Sequence, residues 1–321
     1  MKTQICILFV LLGLAAVAAS EGNVLSFGAT ADGKTDCTAA FQRAIDALKP
    51  QGGKVIVPAG VYVTGELQLW AGVVVEGAGG FAFRGLPKGS TLKLLKGANT
   101  TAMFNLTGAM GATLRDLALL GDVDGLPDSA PTPSKVVHGV GLFNTSHGVD
   151  EGYPLVDHCL IRGFSGDGIH LHKGFCGNVR NCLILDNRGD GIRLDGCLFA
   201  GNVFESSLSL AASAIYHGGG DMEIVNPTFV TNRSAMTPAS GVHATIFVNG
   251  VYSSLALVNC AFDRNVVAGG TGGADVVQVG ANYATGFTVW NSVLWGEGEY
   301  RPFAFAAGGS EATTFGPETY V

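Results

Sequence analysis

Hydrophobic and polar positions alternate along this chain in short runs that Gly, Asn and Asp keep interrupting. Between Tyr153 and Leu198 the alternation is written twice. Val156-Asp157-His158-Cys159-Leu160-Ile161 leads to Gly166-Asp167-Gly168-Ile169-His170-Leu171-His172. Val179-Arg180-Asn181-Cys182-Leu183-Ile184 then leads to Gly189-Asp190-Gly191-Ile192-Arg193-Leu194-Asp195, 23 residues on from Asp167 to Asp190. Period two with turn residues between the runs predicts strand-turn-strand units. A unit this short, repeated at a fixed period, predicts an all-β solenoid, the parallel β-helix.

The first strand of the unit recurs at Leu114-Arg115-Asp116-Leu117, Val203-Phe204-Glu205-Ser206, Ile224-Val225-Asn226-Pro227, Leu257-Val258-Asn259-Cys260 and Val289-Trp290-Asn291-Ser292. Its third place is polar throughout, which predicts a ladder of stacked side chains. The second strand recurs at Ser213-Ala214-Ile215-Tyr216, Ser240-Gly241-Val242-His243 and Asp275-Val276-Val277-Gln278. Alternation turns Ile169, Leu171, Ile192, Leu194, Ile215 and Val242 inward. One outward column is then His170, Arg193, Tyr216, His243 and Gln278, and a second begins His172, Asp195.

Helical period appears at one place. Phe41, Ala44, Ile45 and Leu48 share a face, Thr35 or Asp36 supplies an N-cap, and Lys49-Pro50 with Gly52-Gly53 ends the run. A solenoid end exposes bare core and unpaired strand edges, so this helix is the expected N-terminal cap. The expected organisation is a secretory signal peptide over 1–20 and one β-helix domain over 21–321. Within the domain, 21–53 form the N-terminal cap, 54–295 the coils and 296–321 the C-terminal cap.

The signal peptide rests on Lys2, the apolar run Ile5 to Ala16 and the small-residue site Ala16-Val17-Ala18. Its removal makes the mature chain slightly more acidic than the formal net charge of −7. That balance disfavours nucleic acid as a partner. After signal cleavage no remaining stretch is long enough to span a bilayer, so the expected location is extracellular and no membrane partner is expected. The 48 glycines lack collagen's every-third spacing, and 47% hydrophobic content excludes a disordered chain. Cys159 and Cys182 hold the same place in consecutive copies and are expected to stack, bridged or as buried thiols. Asn99, Asn105, Asn144 and Asn232 head glycosylation sequons.

Phe27-Gly28-Ala29, Asp32-Gly33, Thr35-Asp36, the helix with Gln42 and Ala44-Ile45-Asp46, Gly52-Gly53 and Val57-Pro58-Ala59-Gly60-Val61-Tyr62 resemble the opening of the pectate lyase superfamily. Cys37 stands where that family often has a second Asp. The resemblance implies a single-stranded right-handed β-helix of the pectin lyase-like, rhamnogalacturonase/epimerase-like kind. The superfamily holds hydrolases, alginate epimerases and phage tailspikes, so it implies fold more than reaction. The Asn-Thr-Asp, Asp-Asp and Gly-His-Gly set of the polygalacturonases is missing, as is the Asp-Pro-His motif of the alginate epimerases.

The outward columns are the candidate saccharide groove, against an ordinary solvated face. His, Arg, Tyr and Asp offer hydrogen bonds, a ring face and acid-base groups. For a lyase, His170 or Arg193 is the candidate base; for a hydrolase, Asp190 and Asp195 are the candidate carboxylates. His172, Tyr216, His243 and Gln278 are candidate substrate contacts. Asp167 and Asp190 precede glycines and read first as turn formers. They would be calcium ligands only in a lyase, and otherwise no cofactor is expected. Arg193 beside His170 should favour the neutral imidazole, and Asp195 beside His172 the charged one. The expected function is a carbohydrate-active lyase or hydrolase with a polysaccharide partner. The alternative is a glycan-binding or structural β-helix without catalysis.

Overall fold

The structure is a computed structural model that describes residues 21–79, 88–123, 136–144, 153–173 and 177–195 continuously and separate strands between 203 and 315. Segment 1–20, expected as a signal peptide, lies outside the described residues. Among the described residues every strand pairing is parallel, each strand lying on its counterpart in the next winding. The fold is a right-handed parallel β-helix.

Three apolar columns fill its interior. One runs through Leu67, Phe104, Val140, Ile169, Ile192, Ile215 and Ile246, in register and each 0% exposed. Val55, Val75, Leu114, Val156, Val179 and, after Phe204, Ile224 form the second. Tyr62, Leu92, Leu119, Ile161 and Ile184 form the third. Burying one such side chain contributes about 1.5–3 kcal/mol, so the columns dominate the stability of the stack.

The polar third place of the first strand has a local cause. Asp116, His158 and Asn181 take φ of 58°, 50° and 53°. This left-handed turn suits Asn and Asp, whose short side chains bond locally. The expected stacking of third-place side chains is seen between Asp116 and His158, while Asn181 turns to the second-place Asp157. Asp116 Oδ1 lies 2.5 Å from His158 Nδ1, and Asn181 Nδ2 donates to Asp157 Oδ1 at 3.0 Å. Asn226, Asn259 and Asn291 lie outside the described residues. Cys159 and Cys182 stack as buried free thiols, as do Cys37 and Cys260 elsewhere in the core. Burial pushes the Cys260 thiol up to about 12.

In the later coils two expected short strands merge into one, at Ile215–Val225 and again at Ile246–Val258. The second begins after the predicted Ser240 to Thr245 strand. Ile246 therefore takes the inward place expected for Val242, and Phe247 the outward place expected for His243. Residues 241–245, His243 among them, lie outside the described residues. Hydrophobic alternation fits both registers, and only the strand pairing chooses between them. Strands Phe303–Phe305 and Thr313–Phe315 stack on the windings before them, so the parallel pairing continues into the segment expected as the C-terminal cap.

Helix α1 (Thr38–Asp46) buries Ala40, Phe41, Ala44 and Ile45 against the open end of the columns. Phe41 packs edge-on to Tyr62 at 5.3 Å between centroids. Asp36 Oδ1 accepts from Thr38 N–H at 2.9 Å, so Asp36 caps the helix from the residue before Cys37. Gln42 stands in for a missing strand. Its Oε1 accepts from Gln68 N–H at 2.9 Å and its Nε2 donates to Gln68 C=O at 3.0 Å. An edge that would template another chain is thereby closed.

Gln42→Ala is expected to destabilise the protein by about 1–2 kcal/mol in chemical denaturation. Gln42→Glu keeps the acceptor and loses the donor, so its midpoint should fall between the two. An Ala variant as stable as the parent would show that the helix caps by apolar packing alone.

Candidate functional site

The outward faces of stacked strands carry the site. Ile169 and Leu171 are buried while His170 and His172 turn outward, as period two requires. One column reads Gln68, Asn105, Gly141, His170, Arg193, Tyr216, Phe247 and Gln278 in strand register. Arg193 sits between His170 and Tyr216, as expected. The second column reads Phe143, His172 and Asp195. For Asp195, Tyr216 and Gln278 the structure describes strand and register; their side chains lie outside the described residues, so an Asp190–Asp195 separation is not defined.

The turn aspartates reach back to the outward residue three places on. Asp167 Oδ2 accepts from His170 Nδ1 at 2.7 Å, and Asp190 Oδ2 accepts from Arg193 Nη1 at 3.2 Å. Both carboxylates are buried, at 6% and 4% exposure. The expectation that Arg193 governs His170 therefore changes. The carboxylate of Asp167 holds the imidazole directly, and Asp190 anchors Arg193.

A third member of this group is His138, which the sequence reading passed over. Its Nδ1 accepts from Asp167 N–H at 2.9 Å and lies 3.3 Å from Asp167 Oδ2. Accepting that amide proton puts the neutral ring's own proton on Nε2. His170, donating from Nδ1, has its lone pair on Nε2 when neutral. These tautomers follow from the hydrogen-bond partners. The rings of His138 and His170 stand 4.7 Å apart, and Phe143 closes on both at 5.8 and 5.4 Å. Gly141 allows this, because a Cβ there would come within 2.2 Å of the Phe143 ring. Burial works against ionisation of Asp167. The neighbouring imidazoles of His138 and His170 outweigh it and hold this carboxyl well below the usual range.

A signal for His138 existed. His138-Gly139-Val140-Gly141-Leu142 matches Asp167-Gly168-Ile169-His170-Leu171 place for place. The copy was hidden because His replaces Asp, Gly replaces His, and a long insertion changes the spacing.

His138, Asp167 and His170 bring one ligand atom each within 4.8 Å of one another. Calcium takes six to eight oxygens. Two imidazoles and one carboxylate, whose Oδ1 already accepts from Asp190 N–H at 2.6 Å, do not fit it. Of the sequons, Asn99 is exposed. Asn144 is 2% exposed and donates to Lys173 C=O, which leaves no room for a glycan. Asn105 is held by Glu66 Oε1 and Thr107 N–H. Asn232 lies outside the described residues.

Residues 22–113 match the family model described as rhamnogalacturonase A/epimerase, pectate lyase-like. Tailspike protein 2 of Escherichia coli O157:H7 bacteriophage CAB120 superposes with a TM-score of 0.56 at 13% identity, over 90% of this chain and 37% of that one. DFA-IIIase of Arthrobacter chlorophenolicus A6, without its lid, gives 0.51 at 12% identity over 94% of each chain. The described fold is that of the pectate lyase-like β-helix proteins, and residues 22–113 carry the matching sequence. At these identities the superpositions speak to fold.

Two curated relatives come from Azotobacter vinelandii. The chain is 32% identical over 209 residues to mannuronan C5-epimerase AlgE4, a match covering 59% of this chain and 34% of the relative. It is 30% identical over 201 residues to alginate lyase 7, covering 59% and 22%. The chain thus spans about a third or less of the length of these relatives.

Asp167→Asn in this β-helix keeps the shape and removes the charge. It is expected to lower stability at pH 7 by about 1.5–3 kcal/mol. Because the native pKa is depressed, the contribution of the ionised carboxylate is fully present above the unfolded value of about 3.9 and is lost as pH falls below it. The gap between parent and variant in denaturation midpoint should therefore be constant at neutral pH and narrow below about pH 4.

Proposed function

We propose that this is a secreted polysaccharide-processing protein that abstracts a proton from a uronate unit of its polymer, as a lyase or an epimerase. The observation that carries the reading is the Asp167–His170 pair on the outward column beside Arg193. A carboxylate on Nδ1 fixes the imidazole and stabilises it when Nε2 takes a proton. A C–H next to a carboxylate becomes acidic enough to lose only if that carboxylate is neutralised. Arg193 stands one winding along, about 4.8 Å away, with its guanidinium anchored by Asp190. The intermediate's charge would then develop against a preplaced cation.

Hydrolysis suits the described groups less well. It asks for two carboxylates facing the glycosidic bond, one of them protonated. Asp167 and Asp190 are both buried, the first is held ionised, and each is bonded to its own cation or imidazole. Their placement supports orienting His170 and Arg193. The relatives named as mannuronan epimerase and alginate lyase support the uronate reading, since both reactions turn on a proton beside a carboxylate. A secreted protein accords with the N-terminal apolar segment.

The test is incubation with polymannuronate, alginate and polygalacturonate in D2O. Solvent deuterium should enter the sugar ring where the deprotonated intermediate is reprotonated, as in an epimerase, and new unsaturated ends should absorb in the ultraviolet where it expels the leaving group, as in a lyase. His170→Ala should reduce the rate by about 10²–10⁴-fold, and Arg193→Ala should raise KM and lower kcat together. Release of reducing ends without unsaturation or exchange would establish a hydrolase, and binding without turnover a lectin-like role.

A further inference from the structure

Proton abstraction by His170 gives no task to His138, yet the chain is shaped around it. A Cβ on Gly166 would come within 2.8 Å of His138 Nδ1, and a Cβ on Gly189 within 2.2 Å of Asp167 Oδ1. Neither glycine has a left-handed backbone, so space alone excludes a side chain at both. Two glycines of the repeated Gly-Asp-Gly motif thus leave room for these groups, together with Val136 Cγ1 at 2.6 Å from the first position and the Asp167 backbone N at 2.6 Å from the second.

We propose that His138, Asp167 and His170 form a binding site for one borderline divalent transition-metal ion, with zinc as the type. Two imidazole nitrogens and one carboxylate oxygen are the donors such ions prefer. Zinc with bonds of about 2.0–2.1 Å separates tetrahedral ligand atoms by about 3.3 Å. His138 Nδ1 already lies 3.3 Å from Asp167 Oδ2, while His170 Nδ1, at 2.7 Å, has to open by about half an ångström. On loading, the ion takes the place of the His170 Nδ1 proton, which leaves to solvent. His138 Nδ1 exchanges the Asp167 N–H for the ion. Asp167 Oδ1 keeps its bond from Asp190 N–H, the outer support a ligating carboxylate needs. The Phe143 ring shields the group, and the side chains of His138, Asp167 and His170 are 14%, 8% and 15% exposed, which leaves a way in for an ion. The site does not rest on the proposed proton transfer. An ion held here would compete with that chemistry for the same pair.

Untagged protein is titrated with zinc alone by calorimetry and with cobalt(II) alone by visible absorption. One equivalent should bind, with the ligand-field bands of a low-coordinate site. His138→Gln, whose amide can still accept the Asp167 N–H, and Asp167→Asn should each weaken binding by more than the roughly 10–100-fold typical of lost outer-shell support. Circular dichroism confirms that the variants are folded. Absence of saturable binding, or binding of equal strength in folded variants, overturns the site. Deuterium exchange that depends on His170 without any metal binding would keep the proposed function and sink this inference. Binding that maps to these ligands with neither exchange nor unsaturated ends would do the reverse.

Discussion

Parallel hydrogen bonding between successive windings is the constraint on which the molecule depends. A winding can lie on the one below only if its inward residues fall on inward residues. A slip of one place would turn an entire apolar set to solvent. The column from Leu67 to Ile246 shows the constraint satisfied at six successive pairings with no exposure at any position. A strand absorbs only a residue or two, as where Ile246–Val258 shifts register twice against Ile215–Val225, so longer insertions fall between strands. That is why the spacing from Gly141 to His170 differs from that between His170 and Arg193 although both pairs are in register.

The outward face inherits this order. Residues far apart along the chain become neighbours at about 4.8 Å, and each can be supported by its own turn. Asp167 holds His170 and Asp190 holds Arg193 by the same geometry, three places apart in both coils. Repetition supplies the scaffold and substitution at one outward place supplies the chemistry. Charge alternates similarly along another face, where Glu76, Arg115, Asp157 and Arg180 follow one another in register. Arg115 Nε reaches Glu76 at 2.6 Å and Arg180 reaches Asp157 at 2.9 Å. Such exposed pairs add about 0–1 kcal/mol each. Their larger effect is on register, since a slipped winding would set like charges together.

Ends are the weakness of a solenoid. Helix α1 answers it twice, with an apolar face over the columns and with Gln42 bonded to the strand edge at Gln68. The first function was legible as helical period at Phe41, Ala44, Ile45 and Leu48. The second was not, because a Gln on a helix carries no mark of the strand it will meet.

What the sequence by itself determined is whatever rests on local periodicity. The strand-turn-strand unit, the inward set at Ile169, Ile192 and Ile215, the outward His170-Arg193-Tyr216 order and the stacking of Cys159 on Cys182 all follow from period two and a repeat. Tertiary structure alone decided the rest. It chose Phe247 over His243 beside Tyr216, since either register satisfies the alternation. It made the turn formers Asp167 and Asp190 buried anchors as well, and it brought His138 to His170 across a long insertion. Alternation says only which side of a strand a residue faces; which side chains meet there is fixed by how the windings superimpose.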